Sequence, residues 1–155
     1  MSCLSASCEA EKGEVMSARD QLVKSQVETA VSMLQALYAK HRQGGMALNQ
    51  AKKLGADLLR ALRYGTDGYF WADTTEGINV VFFGRKDVEG TSRLEMKDSK
   101  GTFLMKKFIA TCRRAGGGFV GYTFPKMGRS KPLPKRSYVF LFKPFGWILG
   151  TGYYR

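Results

Sequence analysis

The apolar period of this chain shortens at Gly65, and that change restricts what the chain can fold into. Ahead of it, Val23, Val27, Ala30, Val31, Leu34, Leu37 and Tyr38 recur at the spacing that gathers side chains on one face of a helix. Leu48, Ala51, Leu54, Leu58, Ala61 and Leu62 form a second such stripe. Gly44-Gly45 lies between the two and suits a helix end, so a short turn and an antiparallel helix pair are expected. Directly past Gly65 the apolar runs are too short for helices and rich in aromatic residues. Residues 68–72 (GYFWA) and 78–83 (INVVFF) read as a hairpin around a turn at 73–77. A polar connection over 84–101 leads to one more helical stretch, 102–115, with Leu104, Phe108, Ile109 and Cys112 as its buried face. Gly116-Gly117-Gly118 breaks it, and strands follow at 119–124, 137–142 and 147–154. A loop holding Pro125, Pro132 and Pro134 is expected between the first two of these; Pro144 and Gly146 mark a tight turn before the last.

The order α-α-β-β-α-β-β-β calls for an α+β fold: a five-stranded antiparallel sheet with a long N-terminal helix and the helices packed on one face. A chain of 155 residues suffices for one core. The expected organisation is a single domain over 18–155 behind a polar leader, 1–17, without structure of its own. No apolar run reaches the roughly 18 residues that span a bilayer, and no hydrophobic segment follows Met1 to make a signal peptide.

Charge and motifs narrow the function. Twenty-five Lys and Arg against 13 Asp and Glu leave a net charge of +12, which attracts nucleic acid, anionic membranes and small anions alike. Residues 116–122 (GGGFVGY) partly fit an RNA-recognition strand, but Ala115 stands where a basic residue is required and Gly117 where a stacking aromatic is. A basic RNA- or DNA-binding module, using the run from Lys126 to Arg136, is therefore the alternative reading and not the first. Catalytic signals are weak. His41, the one histidine, ends the first helix, where it caps or faces solvent, and general-base chemistry needs an oriented partner. Asp73, Asp87 and Asp98 fall in expected turns, where Asp supports the backbone. Cys3, Cys8 and Cys112 make no C-x-x-C pair, so neither metal nor other cofactor is implied. The chain reads as a binding module rather than an enzyme.

The aromatic and basic residues around the sheet are the better lead. Arg63 and Tyr64 stand where the second helix meets the first strand, Tyr69 and Trp71 share one strand face, and Phe82 lies on the return strand. Tyr122, Lys135 and Tyr138 come from later strands. A sheet-floored pocket with aromatic walls and a few convergent polar groups is the usual form of a small-ligand site. Arg63, able to form a bidentate pair, together with Lys135 and tyrosine hydroxyls, points to a small monocarboxylate such as acetate, lactate or pyruvate, with Trp71 and Phe82 around its short tail.

Several segments together resemble the single Cache sensor domain, a PAS-like fold: Leu62-Arg63-Tyr64-Gly65 with Gly68-Tyr69-Phe70-Trp71, Val88-Glu89-Gly90, Lys97-Asp98 with Gly101, Gly118-Phe119-Val120 with Tyr122, Pro134-Lys135 with Ser137-Tyr138-Val139, and the closing run from Phe145 to Tyr154. The match runs in order over about 19–154. The resemblance implies a ligand-sensing domain outside the cytoplasmic membrane, carried by a chemotaxis transducer, histidine kinase or cyclic-dinucleotide enzyme. It also implies small organic acids as ligands. A homodimer through the first helix is a further expectation. Where many members carry Met-His-Pro on the second strand, this chain has Val81-Phe82-Phe83.

Overall fold

The computed structural model describes residues 16–155. Cys3, Cys8 and most of the expected leader lie outside them. Helix α1 spans Ala18–Arg42, its first turn capped by the Ser17 hydroxyl, which accepts from the Asp20 N–H. Helix α2 follows as Leu48–Ala61. Then come β1 (Arg63–Tyr64), β2 (Gly68–Tyr69), β3 (Trp71–Thr74), β4 (Asn79–Phe82), α3 (Leu104–Ala115), β5 (Gly117–Pro125), β6 (Pro132–Phe142) and β7 (Trp147–Tyr154). Strands β1 and β2 form a small hairpin, and the other five make one antiparallel sheet in the order β4-β3-β7-β6-β5.

Both faces of the sheet are covered, not one as the sequence order suggested. Helices α1 and α2 pack on one face against Phe70, Ala72, Phe142, Trp147 and Leu149. Helix α3 packs on the other against Trp71, Val120, Val139 and Ile148. Alternation along β7 explains this: Trp147 and Leu149 point one way and Ile148 the other, and all three are buried. The buried stripe of α2 is also turned from the expected one. Ala51, Gly55 and Leu59 face inward while Leu54 is 40% exposed. Gly55 sets this, because a Cβ there would stand 2.9 Å from Leu34 Cδ2 on α1.

The proline-bearing segment is strand, not loop. Pro125 pairs with Pro132 and Thr123 with Pro134, so β5 and β6 form a long hairpin with its tip at 126–131. The carbonyl of Pro134 accepts from the Arg155 N–H at 3.0 Å, which places its ring nitrogen toward the side where β7 runs out. A missing donor is tolerated there.

Candidate ligand-binding site

Between the sheet and α3 lies a cavity. Tyr69 and Trp71 wall it from the β2–β3 side, Phe82 and Phe83 from β4 and its end, Tyr122 and Phe124 from β5, and Leu104 and Phe108 from α3. Two basic side chains, Arg93 and Lys135, complete the lining. The space open to the centre of a water-sized sphere is about 20 Å³, on the scale of a water or two.

Lys135 reaches the cavity by strand alternation. Lys135, Ser137 and Val139 point toward α3; Arg136, Tyr138 and Phe140 point toward α1. Lys135 is 3% exposed, and its Nζ donates to Tyr69 Oη at 3.0 Å. The same Nζ stands 4.8, 4.9, 5.4 and 5.0 Å from the ring centroids of Tyr69, Trp71, Phe124 and Tyr154. No carboxylate among the described residues pairs with it. Ring faces attract an ammonium but replace little of its hydration. Burial, helped by the nearby Arg93 charge, accordingly pushes the Lys135 amine down to about 7.

Arg93 is 4% exposed and comes from the polar connection after β4. Its guanidinium stands 5.1 Å from the Phe82 ring, and its Nε is 3.6 Å from Asp73 Oδ1. Asp73 is fully buried on β3, beside a register shift against β4, and accepts from Asn79 Nδ2 at 2.9 Å. It is therefore a buried partner of Arg93, and not the turn residue expected from sequence; the strand simply runs two residues further, to Thr74. Burial pushes its carboxyl up to about 6, against the opposing pull of Arg93 and then Asn79. Asp87 and Asp98 do sit in turns: Asp98 Oδ1 accepts from the Lys100 and Thr102 N–H groups. Among the described residues, Trp71 Nε1, Arg93 Nε and Asp73 Oδ2 are buried without a hydrogen-bond partner. Such atoms are uncommon in a finished core.

Of the residues singled out in the sequence, Tyr69, Trp71, Phe82, Tyr122 and Lys135 meet at this cavity. Tyr122 Oη shares a hydrogen bond with Ser137 Oγ at 2.7 Å. Three others lie elsewhere. Arg63 is exposed; its Nη1 donates to the carbonyls of Arg60 and Leu62 at 2.9 and 2.6 Å, and its guanidinium stacks 3.3 Å from the Phe83 centroid, so that ring stands between it and the cavity. Tyr64 packs with Phe70 on the α1 face, its hydroxyl 2.6 Å from Thr151 Oγ1. Tyr138 points to α1, where Phe119 meets it edge-on at 5.0 Å. Sequence reasoning missed Arg93, Phe83, Phe108 and Phe124. Phe124 was findable, two residues from Tyr122 on the same strand face, and Phe108 was already on the buried stripe of α3. Arg93 carried no local signal.

A family profile, Single Cache domain 2, matches residues 15–155, and the chain belongs to that family. The chemotaxis protein McpP of Pseudomonas putida is 30% identical over 142 residues, 92% of this chain and 26% of that protein. The sensor histidine kinase MctS of Rhizobium johnstonii is 33% identical over 125 residues, 81% of this chain and 26% of that protein. The chain thus spans about a quarter of the length of these relatives. Among solved structures, a periplasmic sensor domain of a chemotaxis protein superposes with a TM-score of 0.85 at 33% identity, covering 88% of this chain and 94% of that one. Another, described as the structural basis for carboxylic acid recognition by a Cache chemosensory domain, gives 0.86 at 31%, covering 88% and 93%. The fold is that of the single Cache sensors, a ligand-binding rather than a catalytic family. No helix among the described residues is long and apolar enough to cross a membrane.

Proposed function

We propose that this chain is the extracytoplasmic sensing domain of a signal-transduction receptor, of the chemotaxis-transducer or histidine-kinase kind, and that it binds a small monocarboxylate of the size of acetate, lactate or pyruvate. One observation carries the reading: two buried basic side chains, Lys135 and Arg93, line a single ring-walled cavity, and among the described residues the one carboxylate paired with either is Asp73, behind Arg93. A buried charge without a partner is costly, so the site is built for an anion. Arg93 takes the carboxylate-pairing role expected of Arg63. Tyr69 and Tyr122 offer hydroxyls, and Trp71, Phe82 and Phe108 enclose the tail. The solved relative described for carboxylic acid recognition supports the ligand class. Arg19 Nη1 donates to the Tyr154 carbonyl at 3.3 Å, so the start of α1 and the end of β7 lie side by side, an arrangement suited to insertion in a longer membrane-anchored chain. A homodimer through the outer side of α1, where Leu22 is 48% exposed, belongs to the same proposal.

Isothermal titration against acetate, propionate, lactate, pyruvate and their amides tests the ligand class. Acids should bind and amides should not. Lys135→Met should weaken the acids by roughly 30-fold or more, as expected for an unpaired charge in a desolvated site. Binding of amides in preference to acids would overturn the reading.

A further inference from the structure

The cavity that we read as a carboxylate site also holds the ingredients of a proton-linked switch, and the linkage rests on that reading. Tyr69 and Tyr154 present phenols, Trp71 and Phe124 present rings, and Tyr122 Oη is already engaged with Ser137. Among the described residues, Arg93 is the one charged group that bears on the amine in the cavity, and its own charge is balanced by Asp73 behind it. On the far side, Lys135 borders a shallow surface cleft with Asp98, Lys100, Lys107 and Arg155. Asp98 is held there by the backbone N–H groups of Lys100, Thr102 and Thr123. The phenols cannot supply the missing negative charge, because burial pushes Tyr69, Tyr122 and Tyr154 all upward.

We infer that the empty site keeps Lys135 as a neutral amine and that an incoming carboxylate binds together with one proton, which converts Lys135 to its ammonium partner. The transfer balances simply. The acid arrives as its anion, a proton arrives from solvent, and Nζ goes from NH₂ to NH₃⁺ with no other bond changed. The depressed amine at about 7 accords with the geometry. The bound carboxylate restores the charged form, since an opposite charge at contact distance favours it. The sensor would therefore respond to pH and ligand jointly: occupancy at fixed acid concentration falls as the medium turns alkaline.

Two measurements on the wild-type domain test this. The first is a two-dimensional carbon–proton titration of domain labelled at lysine Cε, with the Lys135 signal assigned by its absence from Lys135→Met. One lysine should titrate near pH 7 without ligand and move up by about two units or more in saturating propionate. The second is calorimetry at about pH 8.5 in buffers of different ionisation enthalpy, where binding should take up close to one proton and Kd should rise roughly tenfold per pH unit above 7.5. A Lys135 that stays charged beyond about pH 9.5 in the free domain overturns the inference. So does carboxylate binding with no proton uptake. A neutral Lys135 combined with no carboxylate binding at any pH would instead locate the failure in the ligand class.

Discussion

At the residue scale, Lys135 is where function and stability oppose each other. An amine with an ordinary value of 10.5 that falls to about 7 in the folded state releases its proton to solvent on folding. Between those two values the unfolded chain holds more protons, so stability rises with pH across that window, and below 7 the whole cost is present. We expect Lys135→Met to lose acid binding yet to gain roughly 2–4 kcal/mol in denaturant unfolding at pH 7, with the gain shrinking toward pH 10. Unchanged or lower stability would mean that Lys135 is better solvated than its 3% exposure implies. Arg63 supplies the contrast. Exposed, bonded to the carbonyls of its own neighbourhood and separated from the cavity by Phe83, it should leave carboxylate affinity within about threefold when replaced by Ala, because a rim charge outside the site contributes little. Titration of the variant checks this, and a loss of tenfold or more would return Arg63 to the site.

At the element scale, β6 is the strand that joins the cavity to α1. Lys135 faces one way; Arg136, next to it, faces the other and forms a two-pronged pair with Asp20 in the first turn of α1, at 2.9 and 3.1 Å. Tyr153 on β7 donates to the same carboxylate at 2.9 Å. Arg136 and Tyr153 together hold the Asp20 carboxyl below its usual range, so the clamp's contribution is present above the ordinary carboxylate value and is lost as pH falls below it. Asp20→Asn should cost about 1–3 kcal/mol and speed amide exchange in the first two turns of α1 more than elsewhere, which hydrogen exchange can resolve. Glycine decides the close contacts of β7. A Cβ at Gly152 would overlap Ser137 Oγ and come within 2.5 Å of the Arg136 carbonyl, so Gly152→Ala should destabilise by roughly 2 kcal/mol or more and disturb the Tyr122–Ser137 bond beside the cavity.

These elements also show what the sequence discloses. The order of helices and strands was legible because apolar period and glycine punctuation are local properties. The second covered face was not, since it depends on α3 folding back over a strand whose residues are apolar on both sides. Lys135, Tyr122 and Tyr69 were found as polar residues on aromatic strands. Counting by twos along β6 would already have separated Lys135 from Tyr138. Arg93 was out of reach: its meaning comes from Asp73, 20 positions away across a non-periodic connection.

At the scale of the whole molecule, the net charge of +12 bears on how an anion arrives rather than on what the site prefers. Tyr69, Phe82, Phe83 and Phe124 line the cavity on one side and an open cleft on the other. That cleft is bounded by the tip of the β5–β6 hairpin, with Lys126 and Arg129, and by Arg85 after β4. Arg85 is paired with Asp87 at 2.8 Å, so the uncompensated charge at the mouth comes from the hairpin tip. An anion approaching there gains attraction before it meets the ring wall. None of that attraction persists as contact once the anion lies beside Lys135 and Arg93. The double reversal Lys126→Glu, Arg129→Glu should therefore slow association by about tenfold at low ionic strength and leave dissociation unchanged. The difference from wild type should largely vanish near 0.5 M salt, where the screening length falls to roughly 4 Å. Stopped-flow binding of propionate, followed by tryptophan fluorescence with Trp71 on the cavity wall, reads both rates. A faster dissociation with unaltered association would show that the hairpin tip closes over the bound acid instead of guiding it in.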